Sequence, residues 1–125
     1  MSLKVLIVDD QSGIRRLLTE YFMHVGWQPV EAANGKEALA KLPEKPDVIL
    51  LDMKMPVMDG IDCLAALRRT HPNLPVIVMT AYGELGLMQQ AEALGIEGQV
   101  MKPFDVLALR EKVQRVYTRW LQKVG

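Results

Sequence analysis

Asp9 and Asp10 follow directly on one apolar run, Leu3–Val8, and Asp52 follows directly on another, Asp47–Leu51. Thr80 comes immediately after Pro75–Met79, and Lys102, itself followed by Pro103, immediately after Glu97–Met101. Taken singly, each has an ordinary explanation. Asp10 would cap a following helix, Asp52 would be a turn residue ahead of Pro56 and Gly60, Thr80 a loop hydroxyl satisfying backbone, and Lys102 a solvated charge. Their recurrence at the same place after successive apolar runs favours a joint reading. Three carboxylates in one crevice repel, and each raises its neighbours' pKa. A hard divalent cation relieves this, and one that takes a few carboxylates while keeping positions for water and phosphate is Mg²⁺. The chemistry these groups suit is phosphoryl transfer to a carboxylate. Asp52 would attack phosphorus in line, Lys102 would bring a mobile positive charge to one phosphoryl oxygen, and Thr80 would donate a hydroxyl hydrogen bond to another.

Such a site requires elements that deliver these residues to one edge. Five strand-length runs, Leu3–Val8, Gln28–Ala32, Asp47–Leu51, Pro75–Met79 and Glu97–Met101, alternate with stretches of helical spacing. The first, third and fourth are continuously apolar, which predicts central strands covered on both faces. Ile14, Leu17, Leu18, Tyr21, Phe22 and Val25 trace one face of a first helix, with Gly26 as its stop. A second helix opens at Asn34-Gly35 and closes at Pro43; a third follows Asp59 and stops before Pro72. A fourth spans roughly Glu84–Leu94, and a fifth starts after Pro103 with Asp105 as its N-cap. This alternation predicts an α/β fold, a flavodoxin-like (βα)5 doubly wound parallel sheet in strand order 2-1-3-4-5. In that order the first and third strands are neighbours, which brings Asp9, Asp10 and Asp52 together. Ligands in such sheets bind at the carboxyl ends of the strands.

The chain has 125 residues, half of them apolar, which suits one domain spanning 1–125 with its own core. Fifteen Lys and Arg balance fifteen Asp and Glu, so the basic excess expected of a domain that binds nucleic acid by itself is missing. No apolar run approaches the roughly 18 residues of a membrane span, and no signal peptide opens the chain. Cys63 is the single cysteine and cannot form an internal disulfide, which points to a reducing cytoplasm.

Asp9-Asp10, Asp52 within Leu50–Pro56, Met58-Asp59-Gly60, Thr80-Ala81 and Lys102-Pro103-Phe104 together resemble the receiver domain of bacterial two-component response regulators. The resemblance spans essentially the whole chain. It implies that Asp52 is the phosphoacceptor and that Asp9, Asp10 and Asp52 hold Mg²⁺ with the Lys54 backbone carbonyl. It also implies that Thr80 and Lys102 bind the phosphoryl group, and that the Lys102–Pro103 bond is cis. Val8–Gln11, Gly13–Arg15, Ala32–Gly35, Leu51–Lys54, Met79–Leu85 and Lys102–Asp105 are further similar to receivers of the single-domain sporulation-phosphorelay type. These take a phosphoryl group from a sensor histidine kinase and pass it to a histidine phosphotransferase. Ile14 and Leu17, near the acids, are the candidate docking positions for that partner. Two positions depart from the pattern: Gln99 stands where an aromatic or His is usual, and Ser12 where a bulkier residue is expected. The resemblance also implies that Lys54 and Tyr82, two residues beyond Asp52 and Thr80, flank the path of a hydrolytic water, where they are expected to shield the acyl phosphate.

Two other readings compete. Nothing at the C-terminal end resembles an effector domain, and the expectation is either a stand-alone relay protein or a receiver from a longer regulator such as a transcription factor. A different use of the fold, as an aspartyl-phosphate hydrolase or flavin binder, fits poorly. Lys54 stands where such a hydrolase has a second acid, and Asp9-Asp10 would repel a flavin phosphate. His24 and His71 lie off the strand-end edge, and Arg15, Arg16, Lys41, Arg68, Arg69, Arg110, Lys112 and Arg115 read as solvated helix faces.

Overall fold

In a computed structural model describing residues 2–81 and 83–124, each apolar run becomes a strand. Strands β1 (Lys4–Val8), β2 (Gln28–Ala32), β3 (Val48–Asp52), β4 (Val76–Thr80) and β5 (Gly98–Met101) alternate with five helices among the described residues. These are α1 (Ser12–His24), α2 (Gly35–Lys41), α3 (Gly60–Thr70), α4 (Leu85–Leu94) and α5 (Val106–Val124). The strand order is β2-β1-β3-β4-β5 with every pair parallel, as the alternation requires.

The sheet divides the interior into two cores because successive side chains of a strand point to opposite faces. Leu6, Val8, Ile49, Leu51, Val76 and Val78 face α2, α3 and α4, meeting Ala38, Leu64, Leu67, Met88 and Ala91. Val5, Ile7, Leu50, Ile77 and Met79 face α1 and α5, meeting Leu18, Phe22, Leu109 and Val113. Strands β3 and β4 are buried at all five positions, and the two outermost strands are not. The continuous apolar runs are thus the central strands.

Local chemistry sets the helix starts. Asn34 Oδ1 accepts from the Glu37 N–H at 2.9 Å while Glu37 Oε1 accepts from the Ala33 N–H, and Asp59 Oδ1 accepts from the Asp62 N–H. Helix α1 departs from expectation. Its N-cap is Gln11, with no side-chain cap, so α1 opens one residue later than an Asp10 cap would require; the Gln11 N–H donates to Asp9 Oδ1. Helix α2 ends at Lys41 ahead of Pro43, as expected, and a 3₁₀ turn over Leu42–Glu44 carries the chain on to Lys45 at φ 58°. Arg68 also corrects the sequence reading. Its guanidinium is not solvated: it donates to the carbonyls of His71, Leu74 and Gly95 and to Glu97, tying the end of α3 to the turns before β4 and β5.

Helix α5 carries Arg110, Lys112, Arg115, Arg119 and Lys123 against Glu111 alone, a formal +4 (five cations less one acid). The rest of the neutral chain therefore carries −4. Arg119 and Lys123 line a groove with Asn73 and Glu97, which precede β4 and β5. The basic end of α5 thus lies at the edge of the sheet opposite Asp9, Asp10 and Asp52.

Candidate functional site

The register of β1 on β3 pairs Val8 with Leu51, so Asp9 emerges beside Asp52 at the carboxyl edge of the sheet. Asp9, Asp10 and Asp52 offer carboxylate oxygens that all lie within 4.8 Å of one another. Their environments differ. Asp9 is fully buried and Asp52 nearly so, whereas Asp10 is exposed to solvent. Lys102 reaches into the cluster from the end of β5: its Nζ lies 2.6 Å from Asp9 Oδ2 and 3.4 Å from Asp52 Oδ2. Its backbone N–H donates to the Thr80 carbonyl at 2.7 Å, and the Lys102–Pro103 peptide is cis. Thr80 is buried at the end of β4, its hydroxyl donating to the Val100 carbonyl at 3.4 Å.

Burial pushes the Asp52 carboxyl up to about 7, and the Asp9 charge adds to this; Lys102 opposes both without cancelling them. For Lys102 the balance runs the other way. Burial disfavours its charge, but the hydrogen bond to Asp9 and the charges of Asp52 and Asp9 outweigh that, so its pKa lies above the ordinary value. The cluster therefore holds a firmly charged ammonium beside a carboxyl that ionises reluctantly. An added divalent cation would lower the Asp52 pKa by the same Coulombic route. Three hard oxygen donors at this spacing fit such an ion.

The loop after β3 is pinned at both ends, by Met53 N–H to the Met79 carbonyl and Gly60 N–H to the Met53 carbonyl. A Cβ on Gly60 would collide with the Asp52 carbonyl oxygen and sit 2.6 Å from Met53 Cε. Only glycine lets α3 start this close to the acid-bearing strand end. Lys54 lies exposed in this loop, two residues beyond Asp52. Val57 follows at φ 69°, 78% exposed, with the Met58 N–H bonded to the Pro56 carbonyl at 2.8 Å. This is a strained γ-turn on a β-branched residue. Among the docking candidates, Leu17 is 52% exposed and Ile14 half-buried. Tyr82 lies outside the described residues.

The sequence reading placed Arg15 on a solvated face, yet its side chain is only 18% exposed. Its Nη1 donates to the Asp9 backbone carbonyl at 2.6 Å, and its Nε lies 3.3 Å from Glu31 Oε1. The signal was in the periodicity. Arg15 sits three and seven residues before the buried Leu18 and Phe22, on the inward face of α1.

With this geometry in view, the comparisons with known proteins agree. Residues 5–114 match the response regulator receiver domain model, and the chain belongs to that family. It is 48% identical over 116 residues to the sporulation initiation phosphotransferase F of Bacillus subtilis, covering 92% of this chain and 94% of that one. It is 35% identical to the chemotaxis protein CheY of Thermotoga maritima, covering 93% and 98%. Against the regulatory protein AtoC of Escherichia coli it is 42% identical but spans only 24% of that longer chain. Among solved structures, a CheY-like receiver domain protein from Methanospirillum hungatei superposes with a TM-score of 0.93, at 27% identity over the whole of both chains. The α/β receiver fold read from the sequence is the fold observed.

Proposed function

We propose that this receiver accepts a phosphoryl group on Asp52 and passes it on within a phosphorelay. One Asp52 carboxylate oxygen attacks phosphorus in line, forming the O–P bond as the P–N bond of a kinase phosphohistidine breaks and the imidazole leaves. Transfer onward reverses this on a second histidine. Mg²⁺ would be held by Asp9, Asp10, Asp52 and the Lys54 backbone carbonyl, and when bound it neutralises charge on the phosphoryl oxygens. The chain's own groups do the rest. The Thr80 hydroxyl turns from the Val100 carbonyl to one phosphoryl oxygen, and the Lys102 ammonium moves from Asp9 to another. The observation that carries this is Asp52 itself: a nearly buried carboxylate between two further acids, 3.4 Å from an ammonium. Such a group is poised to exchange a proton, a cation or a phosphoryl group for its charge.

The partners are a sensor histidine kinase and a histidine phosphotransferase that docks near Ile14 and Leu17. The cytoplasm is the compartment for both, and among the described residues no helix is long and apolar enough to cross a membrane. The relay role is supported by the higher identity to the B. subtilis phosphotransferase, 48% against 42% for the longer regulator AtoC. We treat residues 1–125 as one functional unit. Intact-mass measurement after incubation with acetyl phosphate tests the reading. One phosphoryl group should appear with Mg²⁺, none with EDTA, and none on Asp52→Asn in either condition. Undiminished labelling of Asp52→Asn overturns the assignment.

A further inference from the structure

We propose that Arg15 is a positioning residue that fixes Asp10 relative to Asp9 and Asp52 for cation binding. The inference rests on the proposed metal-binding role of the cluster. Every polar atom of Asp9 is engaged. Its N–H donates to the Ala32 carbonyl at 3.1 Å, Oδ1 accepts from Gln11, Oδ2 accepts from Lys102, and its carbonyl accepts from Arg15. The last bond matters most for Asp10. The Asp9 carbonyl belongs to the planar peptide unit joining Asp9 to Asp10, so holding that oxygen sets the direction in which Asp10 leaves the strand. Asp10 needs such an external hold because its side chain is exposed and does not cap α1.

The guanidinium suits the task. Its Nη1 makes a charge-assisted bond of 2.6 Å to the carbonyl while Nε faces Glu31 at 3.3 Å on the adjacent β2. Glu31 stands opposite Ile7 in the β1–β2 register, so it anchors the arginine to a rigid element. The next residue supplies a contrast. Arg16 pairs with Glu20 one turn along α1, both well exposed, and among the described residues makes no hydrogen bond to a strand end.

The sign of the effect separates positioning from charge. A cation beside three acids repels an incoming metal ion, so if Arg15 acted only through its charge, removing it would tighten Mg²⁺ binding. If it were only a staple for the fold, Arg15→Ala would lower the melting temperature and leave the Mg²⁺ affinity unchanged. Positioning predicts the opposite of the first and more than the second: Mg²⁺ affinity about tenfold weaker in Arg15→Ala, the loss typical when support of a metal ligand is removed. Arg15→Lys keeps the charge but not the two-point fork, and it should recover part of the affinity. The measurement is calorimetric Mg²⁺ titration of the full chain. Affinity in Arg15→Ala equal to or tighter than the parent's overturns the proposal while leaving the metal site intact. A parent that binds no Mg²⁺ overturns the metal reading itself, and this inference with it. Should Arg15→Ala fail to fold, Arg15→Lys decides: weaker binding than the parent supports positioning, and parental affinity refutes it.

Discussion

Replacing Lys102 by methionine keeps most of the side chain's apolar stem and removes its ammonium, which isolates what that charge does for the metal-free protein. Asp9 is fully buried and takes its 2.6 Å ion pair from Lys102, whose own side chain is 16% exposed. Breaking a buried pair by removing one partner typically costs about 3–5 kcal/mol, because the remaining charge is left unsolvated. The acid cluster sharpens the penalty. Carboxylate oxygens within 4.8 Å of one another repel by about 3–4 kcal/mol per ionised pair at an effective dielectric near 20. Two features limit it. Asp10 is open to solvent, and Asp52, already near 7, can take up a proton instead. Lys102→Met should therefore lose about 2–3 kcal/mol at neutral pH in EDTA, a shift of roughly 1–2 M in the urea midpoint. Mg²⁺ should return more stability to the variant than it adds to the parent, since no ammonium competes for Asp9 and the ion binds only the folded state. The assay is urea unfolding followed by tryptophan fluorescence, with and without Mg²⁺. A variant as stable as the parent in EDTA, or an equal gain from Mg²⁺ in both, would refute the electrostatic reasoning.

Three further outcomes are expected. Asp52 titrates near 7 in the folded chain against 3.8 ordinarily, so between those values the folded state binds more protons and metal-free stability falls as pH rises. Asp52→Asn should flatten that fall and be more stable at pH 8 by roughly 2–3 kcal/mol after allowance for screening; parallel stability–pH curves for the two proteins would count against it. Gly60→Ala places a Cβ against the Asp52 carbonyl and Met53; a loss of about 2–3 kcal/mol in urea unfolding is expected, with slower phosphorylation, and a neutral variant would contradict the geometry. Burial raises the Cys63 thiol to about 11, so a thiol reagent at pH 8 should modify it only on unfolding; labelling at the rate of a free thiol would show that this core opens.

The order of elements was legible because the strands announce themselves. Gln28–Ala32 is found as read, and the other four runs shift by one residue at one or both ends. The acid cluster and Lys102 were legible for the same reason: a parallel sheet puts whatever follows its strands at a single edge. What escaped was side-chain reach. Arg15 and Arg68 were grouped with solvated cations, although Arg15 shares its helix face with Leu18 and Phe22, and Arg68 follows Leu64 by one turn on α3. An inward arginine in a small domain finds backbone carbonyls at strand ends and turns, and charge patterning carries no trace of those acceptors. Asp10 does not cap α1 because the helix opens one residue later, with Gln11 at the N-cap position. The strain at Val57 had no sequence signal, since nothing about a valine marks a positive φ.

The charge on α5 gives the molecule a polarity that its composition hides. A chain of zero net charge does not drift in a uniform field, but one with Arg119 and Lys123 at one edge of the sheet and Asp9, Asp10 and Asp52 clustered at the other is turned by one. Near a charged surface that torque acts before any contact forms, over distances of about a Debye length, and it weakens as salt is added. A cationic partner meets the edge that holds Asp9, Asp10 and Asp52, and an anionic one meets Arg119 and Lys123. The protein arrives at each encounter already facing a particular way.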